Sequence, residues 1–242
     1  SIPFVGDYGI SKNPESFAVD EFRSYFVDKD RGSVLRLSRD GISPISDFGM
    51  KDWFRDNLKD SVLCLGSYDG RKDEYNITIH TYNASTPGNK NVYTLSYSES
   101  AKGWISFKSW IQESGVSLSN DYYTFKNSKM YVHHKNNTYN NFYGTQFNST
   151  ISPLFNDFSG SVKHFDTVSY EGTQSRVVKF TDEVVDGVTY NDDEYYNQVA
   201  KNGWYIESIS TDLQEGHVDE FIEKENKWFN YIKGITTSHT NL

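Results

Sequence analysis

Apolar residues in this chain come in short runs that alternate with polar ones and are broken every few residues by Gly, Asn, Asp or Ser. That spacing most constrains the fold. A period of two places alternate side chains on opposite faces of a strand, and the breaks supply turns. Residues 74–82 alternate through Tyr75, Ile77 and Ile79, and residues 92–98 set Val92, Thr94 and Ser96 against Tyr93, Leu95 and Tyr97. The core must be largely aromatic: 36% of the 242 residues are apolar, yet 16% are aromatic, with 18 Tyr and 16 Phe. Such side chains suit a pleated, half-buried surface.

The expected fold class is mainly β, built of blade-like antiparallel meanders, propeller-like or sandwich. Residues 1–26 read as loop. Residues 32–45 read as a hairpin around Asp40-Gly41. Met50, Trp53, Phe54 and Leu58 fall at helical spacing and predict one short helix within 47–58, capped by Asp47. Runs at 63–68, 74–82, 92–97 and 104–107 form a four-strand, blade-like unit. Residues 122–125 and 129–133 flank the turn at Lys126-Asn127-Ser128. Residues 142–147 are expected to pair with 150–155, and 162–170 and 175–180 extend the series. An acidic loop follows, turning at Asp186-Gly187, with a short helix at 193–200. Strand character resumes at 203–209, residues 221–232 form a C-terminal hairpin, and the tail from 236 frays. The domain reading is a β-repeat, propeller-like region over 1–180 and an acidic loop with a β-rich segment over 181–242. With one and a half blades and no initiator Met, the chain reads as a piece of a longer protein.

The net charge of −9, from 24 basic and 33 acidic residues, repels a phosphate backbone and argues against nucleic acid as a partner. No apolar stretch has the length of a membrane span, so no membrane partner is expected. The first residues lack the basic start and apolar middle of a secretory signal. Cys64 is the single cysteine and lies in the apolar run Val62-Leu63-Cys64-Leu65, which predicts a buried, unreactive thiol and no disulfide.

No motif carries catalysis. Asp28-Lys29-Asp30-Arg31-Gly32 puts its glycine one position early for a calcium loop, and Asp182–Asp193 has Val184 where a ligand should stand. Adjacent His133 and His134 point to opposite faces of a strand and cannot chelate together. No nucleophile elbow, zinc-protease pair or phosphate-binding glycine loop occurs. The Asn-x-Ser/Thr sequons at Asn76, Asn83, Asn136 and Asn148 match chance expectation for this composition. The expectation is no enzyme, no metal and no cofactor.

Several stretches resemble a known family. The segment from Tyr25 to Ile42, which includes Asp28-Lys29-Asp30-Arg31-Gly32, is similar to part of large structural proteins of tailed bacteriophages. So are Gly66-Ser67-Tyr68-Asp69-Gly70, Gly103-Trp104-Ile105-Ser106-Phe107, Asn141-Phe142-Tyr143-Gly144, Gly203-Trp204-Tyr205 and the run from Glu223 to Gly234. The likeness is to tail-associated virion proteins of large marine myoviruses and crAss-like phages, and covers residues 8–234. It implies a virion component made in the host cytoplasm, with other virion proteins as partners in a homo- or hetero-oligomeric assembly. It carries over no active site. The alternatives are a glycan-binding adhesion module at a tail tip and a carboxylate-dependent glycan hydrolase or lyase. Trp228, Phe229 and Tyr231 of the C-terminal hairpin are the residues expected to form an assembly or docking face.

Overall fold

Short side-chain caps and left-handed turn residues set the path of the chain from strand to strand. The computed structural model describes residues 6–10, 12–82, 90–180, 182–191, 197–211 and 214–234. Asn83, the first half of the helix expected at 193–200 and the tail from 236 lie outside them, and residues 197–200 form no α-helix. The chain divides into two units, Ser1–Ser152 and Pro153–Leu242. The sequence-based boundary at 180/181 therefore falls inside the second unit.

The first unit opens with β1 (Ala18–Val19), β2 (Ser24–Asp28), β3 (Ser33–Ser38) and β4 (Gly41–Pro44), an antiparallel meander in that order. Residues 1–26 are thus not all loop. Asp20 makes the first turn, its Oδ1 accepting from the amides of Phe22 and Arg23 at 2.6 Å each. Asp28 makes the second: its Oδ1 accepts from the Arg31 amide at 3.1 Å and its Oδ2 from the Gly9 amide at 3.0 Å. These carboxylate oxygens are taken by backbone donors, so the Asp28–Gly32 stretch is a turn.

A 3-10 turn (Ile45–Asp47) precedes α1 (Lys51–Lys59), whose Phe54 and Leu58 are fully buried. Asp47 does not cap it. The N-cap position is Met50, with no side-chain cap bond, because the 3-10 turn and left-handed Gly49 (φ 76°) carry the helix start beyond reach of Asp47. Asp47 instead stands 3.8 Å from Lys51.

The blade-like meander is present as β5 (Ser61–Asp69), β6 (Glu74–Tyr82), β7 (Lys90–Ser98) and β8 (Gly103–Lys108), hydrogen-bonded in that order. Tyr25, Phe54, Leu58, Cys64, Tyr75, Ile77, Ile79 and Leu95 are fully buried in one cluster. Tyr25 stacks on Tyr75 with centroids 4.8 Å apart, and their hydroxyls donate to Glu99 and to the Ser16 carbonyl at 2.7 and 2.8 Å. Buried tyrosines need such acceptors.

A three-stranded sheet follows: β9 (Ser114–Leu118), β10 (Asp121–Lys126) and β11 (Lys129–Val132), with β10 central. Asn127 and Ser128 both take positive φ in its second turn. The hairpin of β12 (Asn141–Phe142) and β13 (Thr145–Gln146) turns through Tyr143 and Gly144. The expected partner of 142–147 is therefore wrong. Residues 150–155 form no strand, because two residues with positive φ close the hairpin within 141–146 itself.

In the second unit β14 (Thr167–Tyr170) does not pair with 175–180. That stretch makes only isolated bridges, Ser175 to Trp204 and Val177 to Lys201, so it and residues 201–204 hold each other without strands. The expected acidic loop contains a hairpin, β15 (Glu183–Val185) and β16 (Val188–Tyr190), turning through Asp186 (φ 53°) and Gly187 (φ 79°). Then come β17 (Ile209–Ser210), β18 (Glu215–His217), β19 (Ile222–Lys224), β20 (Lys227–Tyr231) and β21 (Lys233–Gly234). They form the sheets β14-β20-β19 and β17-β18-β21.

Candidate assembly surface

The C-terminal hairpin is set by a two-residue turn. Glu225 and Asn226 take φ 54° and 62°, and Lys224 and Lys227 pair across it. Its second strand, β20, lies between β14 and β19, and its Trp228 and Phe229 have partners on both sides. Tyr170 is opposite Trp228, Ser169 opposite Phe229, and Thr167 opposite Tyr231.

Trp228 faces inward and is 7% exposed. Its ring runs nearly parallel to that of Tyr170, 6.4 Å away, and its Nε1 donates to the Gly172 carbonyl at 3.1 Å. Phe221, also buried, meets Tyr170 edge-on at 4.9 Å. Burial raises the Tyr170 hydroxyl pKa. Phe229 and Tyr231 point the other way. Phe229 is half-buried beside Ile222, its partner across β19, and Tyr231 is 63% exposed. The three expected docking residues thus divide between two faces of one sheet. The period of two already required that, since neighbours in a strand diverge.

Ion pairs surround this sheet. Lys227 reaches Glu171 at 3.4 Å. Asp219 meets His217 at 3.1 Å and also accepts a hydrogen bond from Lys233, which chiefly holds its carboxyl below the usual range. At about half exposure these pairs contribute little stability.

Sequence reasoning missed the segment between β13 and β14. Residues 147–166 form no strand or helix. Within them Ile151, Leu154, Phe155, Phe158 and Val162 are 73%, 88%, 71%, 78% and 105% exposed. The signal was available: apolar residues there recur without the period of two.

The remaining candidates have structural surroundings. His133 is buried, with Nε2 2.7 Å from Thr124 Oγ1 and its ring 5.1 Å from Trp110, and burial pushes its pKa down to about 4. His134 turns away to Asp69, 2.6 Å from Oδ2. Cys64 is fully buried, and burial pushes its thiol up to about 11. A thiol held neutral in this way is a poor nucleophile. Among the described residues no three His, Cys, Asp or Glu side chains are grouped to hold a metal. Asp192, Asp193 and Glu194 lie outside those residues.

No curated protein matches the chain significantly. The stretch from Asn137 onward holds every element from β12 to β21, the strandless apolar segment and the C-terminal hairpin. Residues 137–234 match the family model of the Crassvirus muzzle protein C-terminal domain, a match that supports a structural protein of a crAss-like phage with a virion, tail-associated role.

Proposed function

We propose that the chain is a non-enzymatic structural component of a phage virion, sited with the tail, and acts through protein–protein contacts made by its exposed apolar surfaces. The observation that carries this reading is the strandless segment 147–166, which displays six large apolar side chains, Phe165 included. Large apolar side chains exposed together in one segment are a mark of interaction sites. The segment lies inside the stretch that matches the muzzle protein family. Other virion proteins, including further copies of the chain, are the partners that would cover it. Phe229 and Tyr231 form a second docking face, while Trp228 anchors the sheet beneath them.

Glycan adhesion draws support from Trp204, which is 43% exposed. Its neighbour Tyr205, however, already has an Arg176 guanidinium 3.5 Å from its ring centre, where a sugar would stack. Assembly is therefore the preferred reading, and a glycan array probed with the whole chain tests the other.

Phage carrying Leu154→Asp with Phe158→Asp provides the test. Both side chains are exposed, so the soluble variant should melt within about 2 °C of the parent, as surface changes usually do. Purified particles should contain the parent chain and lack the variant. Absence of the parent chain from particles, or normal incorporation of the variant, would sink the reading.

A further inference from the structure

We propose that residues 153–165 fold into an amphipathic helix when they dock in an apolar, basic-rimmed groove of another virion protein. In the free chain this segment is neither helix nor strand, and Leu154, Phe155, Phe158, Val162 and Phe165 are all exposed. Their spacing is nevertheless helical. At 3.6 residues per turn all five fall within an arc of about 100°, the width of a helix stripe that faces a core. The other residues between Leu154 and Phe165 are polar or glycine. The ends agree with the middle. Ser152 is a favoured N-cap type with Pro153 after it at the first helical position, and Lys163 and His164 lie in the last turn, where cations suit the helix dipole.

The free chain forms no helix here for two reasons. Ser159-Gly160-Ser161 are weak helix formers, and a helix this short is marginal in water unless one face is packed. The chain turns instead. The Ser161 amide donates to the Phe158 carbonyl at 3.0 Å, and Lys163 Nζ donates to Asn156 Oδ1 and the Phe158 carbonyl at 3.1 and 2.9 Å. This turn holds Phe158 at φ 53°, a left-handed conformation unfavourable for a bulky side chain, and leaves its ring in water. Docking as a helix relieves both. Shape and charge select the occupant. Five side chains across about 100° are wider than the seam of a coiled coil, and 13 residues supply less than two heptads, so a second copy of the segment does not match it. The five are spaced as anchors of a helix laid in a groove. Asp157 and Asp166 border the stripe on opposite sides. Asp157 makes no ion pair among the described residues, and the Asp166 carboxylate meets only His164, at 2.7 Å. A basic rim therefore complements the stripe, whereas another chain of net charge −9 or an anionic lipid surface repels it.

This helix rests on the virion-assembly reading and specifies how one segment serves it. Two variants separate a helix from the turn of the free chain. Ser159→Pro takes the second position of the Phe158–Ser161 turn, where proline is favoured, but breaks a helix. Gly160→Ala meets nothing within 4 Å in the turn and favours a helix. Both free variants should melt within about 2 °C of the parent, so that altered incorporation is not misfolding. Each full-length variant is expressed in cells infected by the parent phage, and mass spectrometry compares the variant-to-parent ratio in purified particles with that in the cells. Gly160→Ala should be enriched about fourfold and Ser159→Pro depleted at least about tenfold. In particles, hydrogen exchange should be slowed at every amide from Asp157 to Phe165 relative to the free chain, as a helix requires. Ratios near one for both variants, unslowed amides, or protection at alternate residues as in a docked strand would overturn the proposal. So would helix gained by the parent chain on self-association or on phosphatidylglycerol vesicles, read by circular dichroism, because a copy or a lipid would then be the occupant. If particles contain the parent chain in those cases, the virion reading stands without this helix. If they do not, both fail.

Discussion

Trp228 shows how one residue fixes the second unit. Its indole covers Tyr170, its Nε1 satisfies the Gly172 carbonyl, and Phe221 closes the same pocket. Trp228→Ala should cost about 3 kcal/mol, the usual range for emptying an aromatic site in a core. A thermal melt reads it, and a shift below 1 °C would show that the indole is not an anchor. His133 gives the first unit a dependence on acid. Its folded pKa of about 4 lies below the ordinary 6.5, so between those values the unfolded chain binds more protons than the folded one. Stability is therefore full above pH 6.5 and falls as pH drops toward 4, by up to about 3 kcal/mol from this group. The His133→Phe variant keeps an aromatic ring against Trp110 and should lose that share of the pH dependence. Parallel melting curves for parent and variant between pH 7 and 4.5 would contradict the assignment.

Among the elements, turns with two left-handed residues recur: Asn127-Ser128, Asp186-Gly187 and Glu225-Asn226. Their twist matches that of the flanking strands, and glycine suits the second position. Asn226→Gly should thus stabilise the C-terminal hairpin by roughly 0.5 kcal/mol, read as a small rise in melting temperature. A fall would mean that the Asn226 side chain is needed. These turns were legible in the sequence, as were β6, β8, α1 and the burial of Cys64, because each rests on local pattern. Residues 150–155 and 175–180 were misread for the opposite reason. Their apolar content resembles that of strands, but strand pairing is decided by which partners arrive. β14 finds β20, sixty residues away in sequence. Trp228, Phe229 and Tyr231 read in the sequence as one face, yet the inward turn of Trp228 follows from the alternation along β20, which residue type alone does not reveal.

For the molecule as a whole, acidity and apolar exposure oppose each other. The net charge of −9 keeps copies apart at neutral pH, and it vanishes near the isoelectric point of 5.1. Large apolar side chains are exposed in both units. Light scattering should therefore rise steeply between pH 6 and 5 at low salt, since charge guards such surfaces. A flat profile would mean that they are not sticky. If these surfaces exist for assembly, they must be covered in the particle. Hydroxyl-radical footprinting of the chain, free and within purified virions, measures that directly. Met130, Leu154, Phe158 and Tyr231 should lose most of their reactivity in the virion, while buried Trp228 should be unreactive in both states. Equal reactivity of those four residues in the free chain and in the particle would contradict it.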